Sequence, residues 1–396
     1  VRAAPYLIGA CLLMSFWIPV VGRWCIYVLV AHLLAALWYS SKTSLIAGRF
    51  EKMGALLKTF TKGLIRIEKR EWTSDYLKTL QRDLYMKGSQ GNSESDGATP
   101  EPASEAIQKL ADILGRLDYR LNMLVGAIMN MVFLWDFRQL IALQAWRKRY
   151  SSELLEALDV VGEVEALNSL AILTINHPHW CFPEVLPEDE KTLAFQALNH
   201  PLIDPKIAVA NHYSKENHRI ALITGSNMAG KSTFLRTVGT NMVLAFCGAP
   251  VCAQAMQVSV MHLITYMRIK DSLQESTSTF KAELDRMRLI LDTVRTQPHS
   301  FFLIDEMLRG TNSIDKYRGS KAIIERLIQE QAHGMVATHD LQLASLEQSY
   351  PGQIRNFHFD IQVRDGEMLF DYKLKDGECK IFNASILLSG IGIEVD

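Results

Sequence analysis

The chain has 396 residues, of which 48% are hydrophobic and 21% charged, and this length suffices for two or three domains. Its formal net charge is −1, so it has no overall basic field, and any nucleic-acid partner must be held by a local basic surface. Its six cysteines form no C-x-x-C pair and no metal-ligand spacing, which predicts a reducing compartment. Because Val1 opens the chain and apolar sequence follows directly, we expect further residues upstream.

Two apolar runs, residues 6–22 and 25–40, contain no Asp, Glu, Lys or Arg and a single histidine, His32. A helix of either length spans about 25 Å, which is marginal for one bilayer crossing but adequate for a tight helical hairpin. Basic residues flank the segment on both sides: Arg2, Lys42, Arg49 and Lys52. The positive-inside rule places both ends in the cytoplasm, so we predict a transmembrane hairpin over residues 1–45. The alternatives are one tilted crossing and a buried helical hairpin, and Arg23 between the runs weighs against the membrane.

The next segment, residues 46–185, is predicted to be an all-α region. Apolar residues recur at helical spacing from residue 53 to residue 67. Basic residues fill other positions of the same segment: Lys52, Lys58, Lys62, Arg66 and Lys69. This basic side is either a solvated face or a surface for phosphates or anionic lipid headgroups. Residues 87–104 are rich in Gly, Ser, Glu and Pro, which predicts a flexible connection.

Helical sequence resumes at residue 105 and continues to about residue 174. Within it, residues 123–135 form an apolar run that only Asn130 interrupts; it is too short to cross a bilayer and is predicted to be a core helix. A zinc site would need four ligands, and no second cluster completes the group His177, His179 and Cys181. Prolines at positions 178, 183 and 187 mark a boundary, so the last domain is predicted over residues 186–396.

A P-loop pattern organises this last domain. A β-prone run at residues 220–224 precedes it, a helical pattern at residues 234–246 follows it, and the loop itself reads Gly225, Ser226, Asn227, Met228, Ala229, Gly230, Lys231, Ser232 and Thr233. The backbone N–H groups of such a loop surround the β- and γ-phosphates, and the helix N-terminus adds positive potential. Lys231 supplies a mobile charge, and Ser232 offers its hydroxyl to Mg²⁺. Strand, loop and helix come in the required order, which predicts nucleotide binding.

Strands alternate with helices beyond residue 199, which predicts a mostly parallel α/β sheet. Residues 301–304 form a buried-strand run that ends in Asp305 and Glu306, and a further strand delivers His339. The carboxyl ends of such strands lie beside the P-loop. Asp305 is therefore predicted to hold Mg²⁺, and Glu306 to orient or deprotonate the attacking water. His339 is predicted to contact the γ-phosphate.

Five elements in this order resemble the ATPase domain of the MutS proteins, a branch of the ABC-type P-loop ATPases. The loop with Asn227 and Met228 resembles the Walker A motif of that family, and Ser278 with the residues after it resembles the signature segment. Asp305 and Glu306 resemble the Walker B motif, residues 309–313 the D-loop, and residues 337–340 the histidine switch. The resemblance covers residues 199–396 strongly, and residues 46–185 more weakly as the helical core and lever region.

This resemblance implies an ABC-like domain that binds ATP and Mg²⁺ and hydrolyses ATP in association with DNA. It also implies a homodimer through the ATPase domain, in which each nucleotide lies between the P-loop of one subunit and the signature segment of the other. Ser278 would then act in trans, near the γ-phosphate of the partner's nucleotide. The only match to the mismatch-reading Phe-x-Glu motif is at residues 182–184, in the wrong place, which sets the chain apart from mismatch sensors. The apolar hairpin, foreign to those sensors, points to a divergent bacterial branch anchored in the inner membrane, with a cytoplasmic ATPase domain.

Two other functions compete with this one. The nucleotide-binding subunit of a membrane transporter would need an LSGGQ-like motif between the Walker motifs, and the only similar string, residues 388–392, follows His339. A membrane tether that binds nucleotide without hydrolysis would not need Glu306 and His339, and both are present.

Overall fold

The computed structural model describes residues 20, 23–24, 26–35, 38, 53–86, 100–215, 217–226, 228–267, 279–364 and 367–379. The chain divides into two compact units, residues 1–168 and 169–396. The sequence predicts a boundary at residue 185, whereas this division falls inside the helix Trp135–Asn176. The buried residues of that helix end at Val161, so its last turns take no part in the helical core.

The first unit is helical in its described part, as the sequence predicts, apart from one short strand pair. Its elements are α1 (Met53–Lys69), α2 (Asp75–Asp83), β1 (Tyr85–Met86), β2 (Glu101–Pro102), α3 (Ala103–Leu117), a 3-10 turn (Asp118–Leu121), α4 (Met123–Phe133) and α5 (Trp135–Asn176). Helices α1, α3 and α5 share a core that includes Leu64, Ile107 and Trp146. The Trp146 indole donates a hydrogen bond to the Ala106 carbonyl at 2.7 Å, which ties α5 to α3.

The connection predicted over residues 87–104 ends earlier in the structure. β1 pairs antiparallel with β2, and α3 begins at Ala103. The Ser104 backbone N–H and hydroxyl both donate to the Glu68 carboxylate, and these contacts fix the start of α3. Composition alone does not reveal such a long-range contact, so the prediction was wrong for residues 101–104. Residues 87–99 lie outside the described residues.

The apolar run at residues 123–135 does not form the predicted core helix. Helix α4 leaves 76% of Leu124 and 58% of Ile128 exposed. Its buried positions are instead Gly126 and Asn130. The Asn130 side chain donates to the Gly126 carbonyl at 3.1 Å and accepts from the Asp136 N–H at 3.0 Å. The prediction was wrong because it assumed that the apolar side chains of this helix face inward.

The predicted transmembrane hairpin over residues 1–45 lies largely outside the described residues. Residues 23–24 and 26–35 are helical, and the His32 Nδ1 donates to the Met131 carbonyl of α4 at 3.2 Å. Across the ranges that the structure describes, no helix combines the length and the apolar character needed to span a membrane.

The second unit is an α/β domain, as predicted. Its main elements are β3 (Glu184–Leu186), β4 (Leu193–Leu198), β5 (Asn211–Ser214), β6 (Ile220–Thr224), α6 (Lys231–Phe246), β7 (Ala255–Ser259), β8 (His262–Tyr266), α7 (Thr279–Thr296), β9 (Ser300–Asp305), α8 (Ser313–Gln329), β10 (His333–Ala337), α9 (Leu346–Ser349), β11 (Ile354–Arg364) and β12 (Glu367–Asp376). Two 3-10 turns, Glu188–Glu190 and Leu341–Ser345, complete it.

A six-stranded sheet forms the centre of this unit, in the order β12-β11-β6-β10-β9-β8. Its pairs are parallel except for β11 with β12, which confirms the mostly parallel sheet. A second, four-stranded sheet has the order β3-β7-β4-β5 and was not predicted. Its strands are short and separated in sequence by the P-loop and α6.

Strand β6 is buried on both faces. Ala221 and Ile223 pack with α6 and the four-stranded sheet, whereas Ile220 and Leu222 pack with α7 and α8. A strand covered on both faces reads as a continuous apolar run, which is why the sequence predicts it well. In the register of the sheet, Ala337 lies opposite both Ile223 and Asp305. The carboxyl ends of β6, β10 and β9 therefore meet at one edge.

Candidate nucleotide-binding and hydrolysis site

The loop between β6 and α6 requires glycine at both ends. Gly225 has a φ of 144°, and a Cβ there would lie 2.7 Å from the Phe359 carbonyl oxygen. Gly230 has a φ of 105°, and a Cβ there would lie 3.0 Å from the Tyr372 ring. Met228 between them also has a positive φ of 69°. Positive φ values at these positions are typical of the glycine-framed loops that surround phosphates. Asn227 lies outside the described residues.

Lys231 begins α6 and is buried beneath the loop. Its ammonium donates to the carbonyl oxygens of Gly225 and Ser226, both at 2.8 Å. Burial lowers the pKa of Lys231, and the nearby carboxylates of Glu306 and Asp305 oppose this effect. A buried cation held by the loop's own carbonyls can exchange them for phosphate oxygens.

Ser232 and Asp305 come together as a donor pair. Asp305 ends β9 and is 1% exposed, and the Ser232 hydroxyl donates to its Oδ1 at 2.8 Å. A hydroxyl and a carboxylate side by side supply the hard oxygen ligands that Mg²⁺ prefers. The remaining positions of an octahedral site are usually filled by water and phosphate oxygens. The two residues fit the ion that the sequence predicts for them.

Glu306 follows β9 in a left-handed backbone conformation, with a φ of 55°. Its N–H donates to the Ala337 carbonyl at 2.9 Å, so the turn is anchored to the end of β10. The carboxylate lies 3.4 Å from His339 Nδ1 and 2.9 Å from the Arg309 guanidinium. These contacts, first the hydrogen bond from His339 and then the charge of Arg309, lower the pKa of Glu306 to about 2. Glu306 is therefore an ionised acceptor.

The structure places Lys231, Ser232, Asp305, Glu306 and His339 at one edge of the sheet, and it adds two partners that sequence reasoning missed. Arg309 is predicted only as part of a loop motif, and Lys316 has no predicted role. The Lys316 ammonium lies 3.1 Å from His339 Nε2. A second left-handed residue, Leu308 with a φ of 53°, helps to fold the chain back so that Arg309 reaches Glu306.

A cavity of about 520 Å³ opens beside the loop. Its polar lining includes Lys231, Ser232, Thr233 and Glu306. Its apolar lining includes Leu198, Ile203, Ile207, Val209, Phe359 and Tyr372. No sequence pattern predicts that these apolar residues line one cavity, because they are scattered over loops and three strands. Ser278, predicted to act in trans, lies outside the described residues, and α7 begins at the next position.

Comparison with known proteins shows what this part of the chain resembles. Residues 221–386 match MutS domain V. The DNA mismatch repair protein MutS of Thermus thermophilus is 29% identical over 261 residues, which are 65% of this chain and 30% of that protein. The MutS proteins of Thermotoga maritima and Aquifex pyrophilus are 32% and 33% identical over 58% and 56% of this chain and over 29% and 26% of their own lengths. The chain thus spans less than a third of the length of these relatives. Residues 221–386 of this chain are therefore similar to MutS domain V, which is the ATPase domain of the MutS proteins.

Proposed function

We propose that this protein is an ATP-driven switch of the MutS type that acts in association with DNA. The observation that carries the proposal is the meeting of Ser232, Asp305, Glu306 and His339 at the edge where the P-loop leaves the sheet. Phosphoryl transfer depends on positioning and charge neutralisation more than on covalent chemistry, and these residues offer both. A bare nucleotide-binding tether would not require a carboxylate held against a histidine beside the loop.

Lys231 and the loop N–H groups hold the phosphates of ATP in this proposal. Ser232 and Asp305 hold Mg²⁺, which when bound neutralises charge on the phosphates. Glu306 accepts a hydrogen bond from the attacking water and so orients it. The hydrogen bond from His339 and the charge of Arg309 hold the pKa of Glu306 at about 2, so Glu306 is a weak base and acts as an acceptor that orients the water. His339 holds Glu306 from the other side.

The apolar residues that line the cavity are proposed to contact the nucleoside. The whole cavity includes Lys231 and Ser232, and its volume of about 520 Å³ falls within the range of small-molecule sites. Leu198, Ile203, Ile207 and Val209 offer apolar contact to a base. Asn199 and His200 add polar groups to the lining of the cavity.

The partners are proposals that rest on the family of the domain. MutS relatives are named as DNA mismatch repair proteins, and DNA is the partner proposed here. A homodimer through the ATPase domain, with Ser278 completing the partner's site in trans, follows from the resemblance of the signature segment. Mismatch sensing itself is not part of the proposal.

Membrane attachment through residues 1–45 is proposed as well, and exposed apolar side chains in the described part of the first unit support it. Trp24 and Tyr27, in the helical part of the apolar segment, are 66% and 65% exposed. Leu124 and Ile128 of α4, which touches that segment through His32, are exposed too. Exposed apolar side chains that cluster mark a contact with a partner or a membrane, and the His32 contact brings the two helices that carry these side chains together. The full chain should pellet with membranes after carbonate extraction, whereas a truncated protein starting at Gly48 should stay soluble. A full chain that is monodisperse without detergent would contradict attachment.

The proposed function is tested on the full chain in detergent. Steady-state ATP hydrolysis should require Mg²⁺ and should disappear in Lys231→Ala, while the surface variant Lys206→Ala should keep the wild-type rate. Nucleic acid that is crosslinked to the protein in cells and sequenced should contain DNA. Mg²⁺-dependent hydrolysis without any recovered DNA would reject the DNA association and leave the ATPase; hydrolysis that survives Lys231→Ala would reject the site.

A further inference from the structure

Four side chains form a continuous line of polar contacts next to the P-loop. The Lys316 ammonium lies 3.1 Å from His339 Nε2, and His339 Nδ1 lies 3.4 Å from Glu306 Oε1. The other oxygen of the Glu306 carboxylate meets Arg309 at 2.9 Å. Lys316 therefore contacts His339, and His339 contacts Glu306, the residue proposed to orient the attacking water.

The two neighbours of His339 select one tautomer. A lysine ammonium has only donors, so His339 Nε2 must accept and must carry a lone pair. A carboxylate has only acceptors, so His339 Nδ1 must carry the proton that it donates to Glu306. Both contacts are satisfied together only by the neutral imidazole with its proton on Nδ1. Without Lys316, nothing in this line would favour a lone pair on Nε2.

The position of Lys316 is unusual for a lysine. It lies in the first turn of α8, where the helix dipole disfavours a positive charge. The turn is held rigidly, because the Asn312 side chain accepts from the Asp315 N–H at 2.9 Å and donates to the Asp315 carboxylate at 2.7 Å. The Lys316 N–H continues this turn by donating to the Asn312 carbonyl at 2.9 Å. A cation at the unfavourable end of a helix, aimed at the histidine, indicates a role for its charge.

We propose that Lys316 is a positioning residue for hydrolysis: it holds His339 in the Nδ1-protonated tautomer, and His339 in turn holds the Glu306 carboxylate in place. The inference rests on the proposed role of Glu306 in hydrolysis. It assigns Lys316 no contact with ATP. Loss of the lysine leaves only the Glu306 carboxylate to favour the proton on Nδ1, so the ring exchanges between its tautomers, and the contact is lost whenever Nδ1 presents a lone pair.

The first readout is the ¹⁵N NMR spectrum of the full chain labelled with [¹⁵N]histidine, in detergent and without nucleotide. Comparison with His339→Gln assigns the His339 signals. We expect a protonated Nδ1 and an unprotonated Nε2 in the wild type and in Lys316→Arg, which keeps a cationic donor. Lys316→Met should shift the ring toward the Nε2-protonated tautomer. The control is Lys321→Met on the same helix, whose ammonium makes a surface pair with Glu325 at 3.9 Å.

The second readout is steady-state kinetics of the same variants. Lys316→Met should lower kcat at least about tenfold with KM for ATP within about twofold, and Lys316→Arg should recover most of the loss. An Nε2-protonated ring in the wild type, or a spectrum that Lys316→Met leaves unchanged, would overturn the inference. A raised KM with unchanged kcat would overturn it too, since that result means a direct phosphate contact. The NMR spectrum is recorded without nucleotide and does not depend on hydrolysis. A wild type without ATPase activity would therefore refute the proposed function, whereas the spectrum would still show whether Lys316 sets the tautomer of His339.

Discussion

Gly225 occupies a conformation and a space that fit only glycine. Its φ is 144°, and a Cβ at this position would lie 2.7 Å from the Phe359 carbonyl oxygen, so alanine would push the loop away from β11. Strain of this kind costs about 1–3 kcal/mol, so we expect Gly225→Ala to weaken ATP binding at least about fivefold. Titration with a fluorescent ATP analogue measures the effect. Gly248→Ala is the matched control, because Gly248 also has a positive φ, of 74°, but has nothing within 4 Å of its Cβ position. Equal affinities in the two variants would refute this explanation.

His333, at the start of β10, makes the stability of the fold depend on pH. Burial, followed by the charges of Lys215, Lys191 and Arg219 and by His218, lowers the pKa of His333 to about 3. The unfolded chain, with an ordinary histidine pKa of about 6.5, therefore binds one more proton between about pH 6.5 and 3. This contribution to stability is complete above pH 6.5 and is lost as the pH falls toward 3, by up to about 1.4 kcal/mol per pH unit.

The substitution His333→Gln removes this dependence. From pH 7 to pH 5, the free energy of unfolding in urea should fall by about 2 kcal/mol less in His333→Gln than in the wild type. His179→Gln, at an exposed position, serves as the control and should follow the wild type. Parallel pH curves for His333→Gln and the wild type would show that His333 is protonated equally in both states.

The residues that a motif names could be predicted, and their partners could not. Lys231, Ser232, Asp305 and His339 meet because the order of strands and loops brings them to one edge. The contact of Arg309 with Glu306 forms in a turn that has left-handed backbone at Glu306 and Leu308. Glutamate and leucine rarely adopt left-handed backbone, so the sequence does not predict this conformation at either position.

At the scale of elements, α8 depends on its N-terminal cap. The Asn312 side chain accepts from the Asp315 N–H, which satisfies one of the free donors at the start of the helix. Asn312→Ala should therefore lower the free energy of unfolding by about 1 kcal/mol, whereas Asn312→Ser keeps a capping oxygen and should lose little. Urea titration of both variants measures the difference. If alanine and serine destabilise equally, the cap contributes nothing.

The elements of the sheet could be predicted where burial is complete. β6, β9 and β10 are covered on both faces and read as apolar runs bounded by loops. Helix α4 is just as apolar in sequence, yet it exposes Leu124 and Ile128. An apolar run predicts that its side chains avoid water. It does not predict whether they are buried in the core of the same chain or remain exposed, as in α4. The four-stranded sheet escaped prediction because its pairings join strands up to about seventy residues apart, such as Glu184 with Gln257.

At the scale of the whole molecule, the proposed dimer makes a prediction about mixed subunits. If Ser278 acts in trans, Lys231→Ala and Ser278→Ala should each be nearly inactive, and a mixture of the two should regain activity. Random exchange makes about half of the dimers mixed, and each mixed dimer has one intact site and one site with both changes. Hydrolysis should recover to at most about a quarter of the wild-type rate, or less if the two sites must act together.

The mixing experiment needs proof that mixed dimers form, for which two affinity tags and sequential purification suffice. Full activity of Ser278→Ala alone would remove the trans role. Absence of any recovery in purified mixed dimers would mean one of two things. Either Lys231 and Ser278 of the same chain form one site, or the two sites of the dimer are completely coupled.

The central claim is that ATP is hydrolysed at this site by a water that Glu306 orients, and Glu306→Gln tests it most directly. Glutamine keeps the size of the side chain but loses the charge that pairs with Arg309 and accepts from His339. Glu330→Gln, which removes a carboxylate that pairs with Arg326 at the far end of α8, is the matched control. The account predicts that Glu306→Gln binds ATP with an affinity within about threefold of the wild type while kcat falls by about 100-fold or more. An unchanged kcat in Glu306→Gln, with ATP still bound, would contradict it.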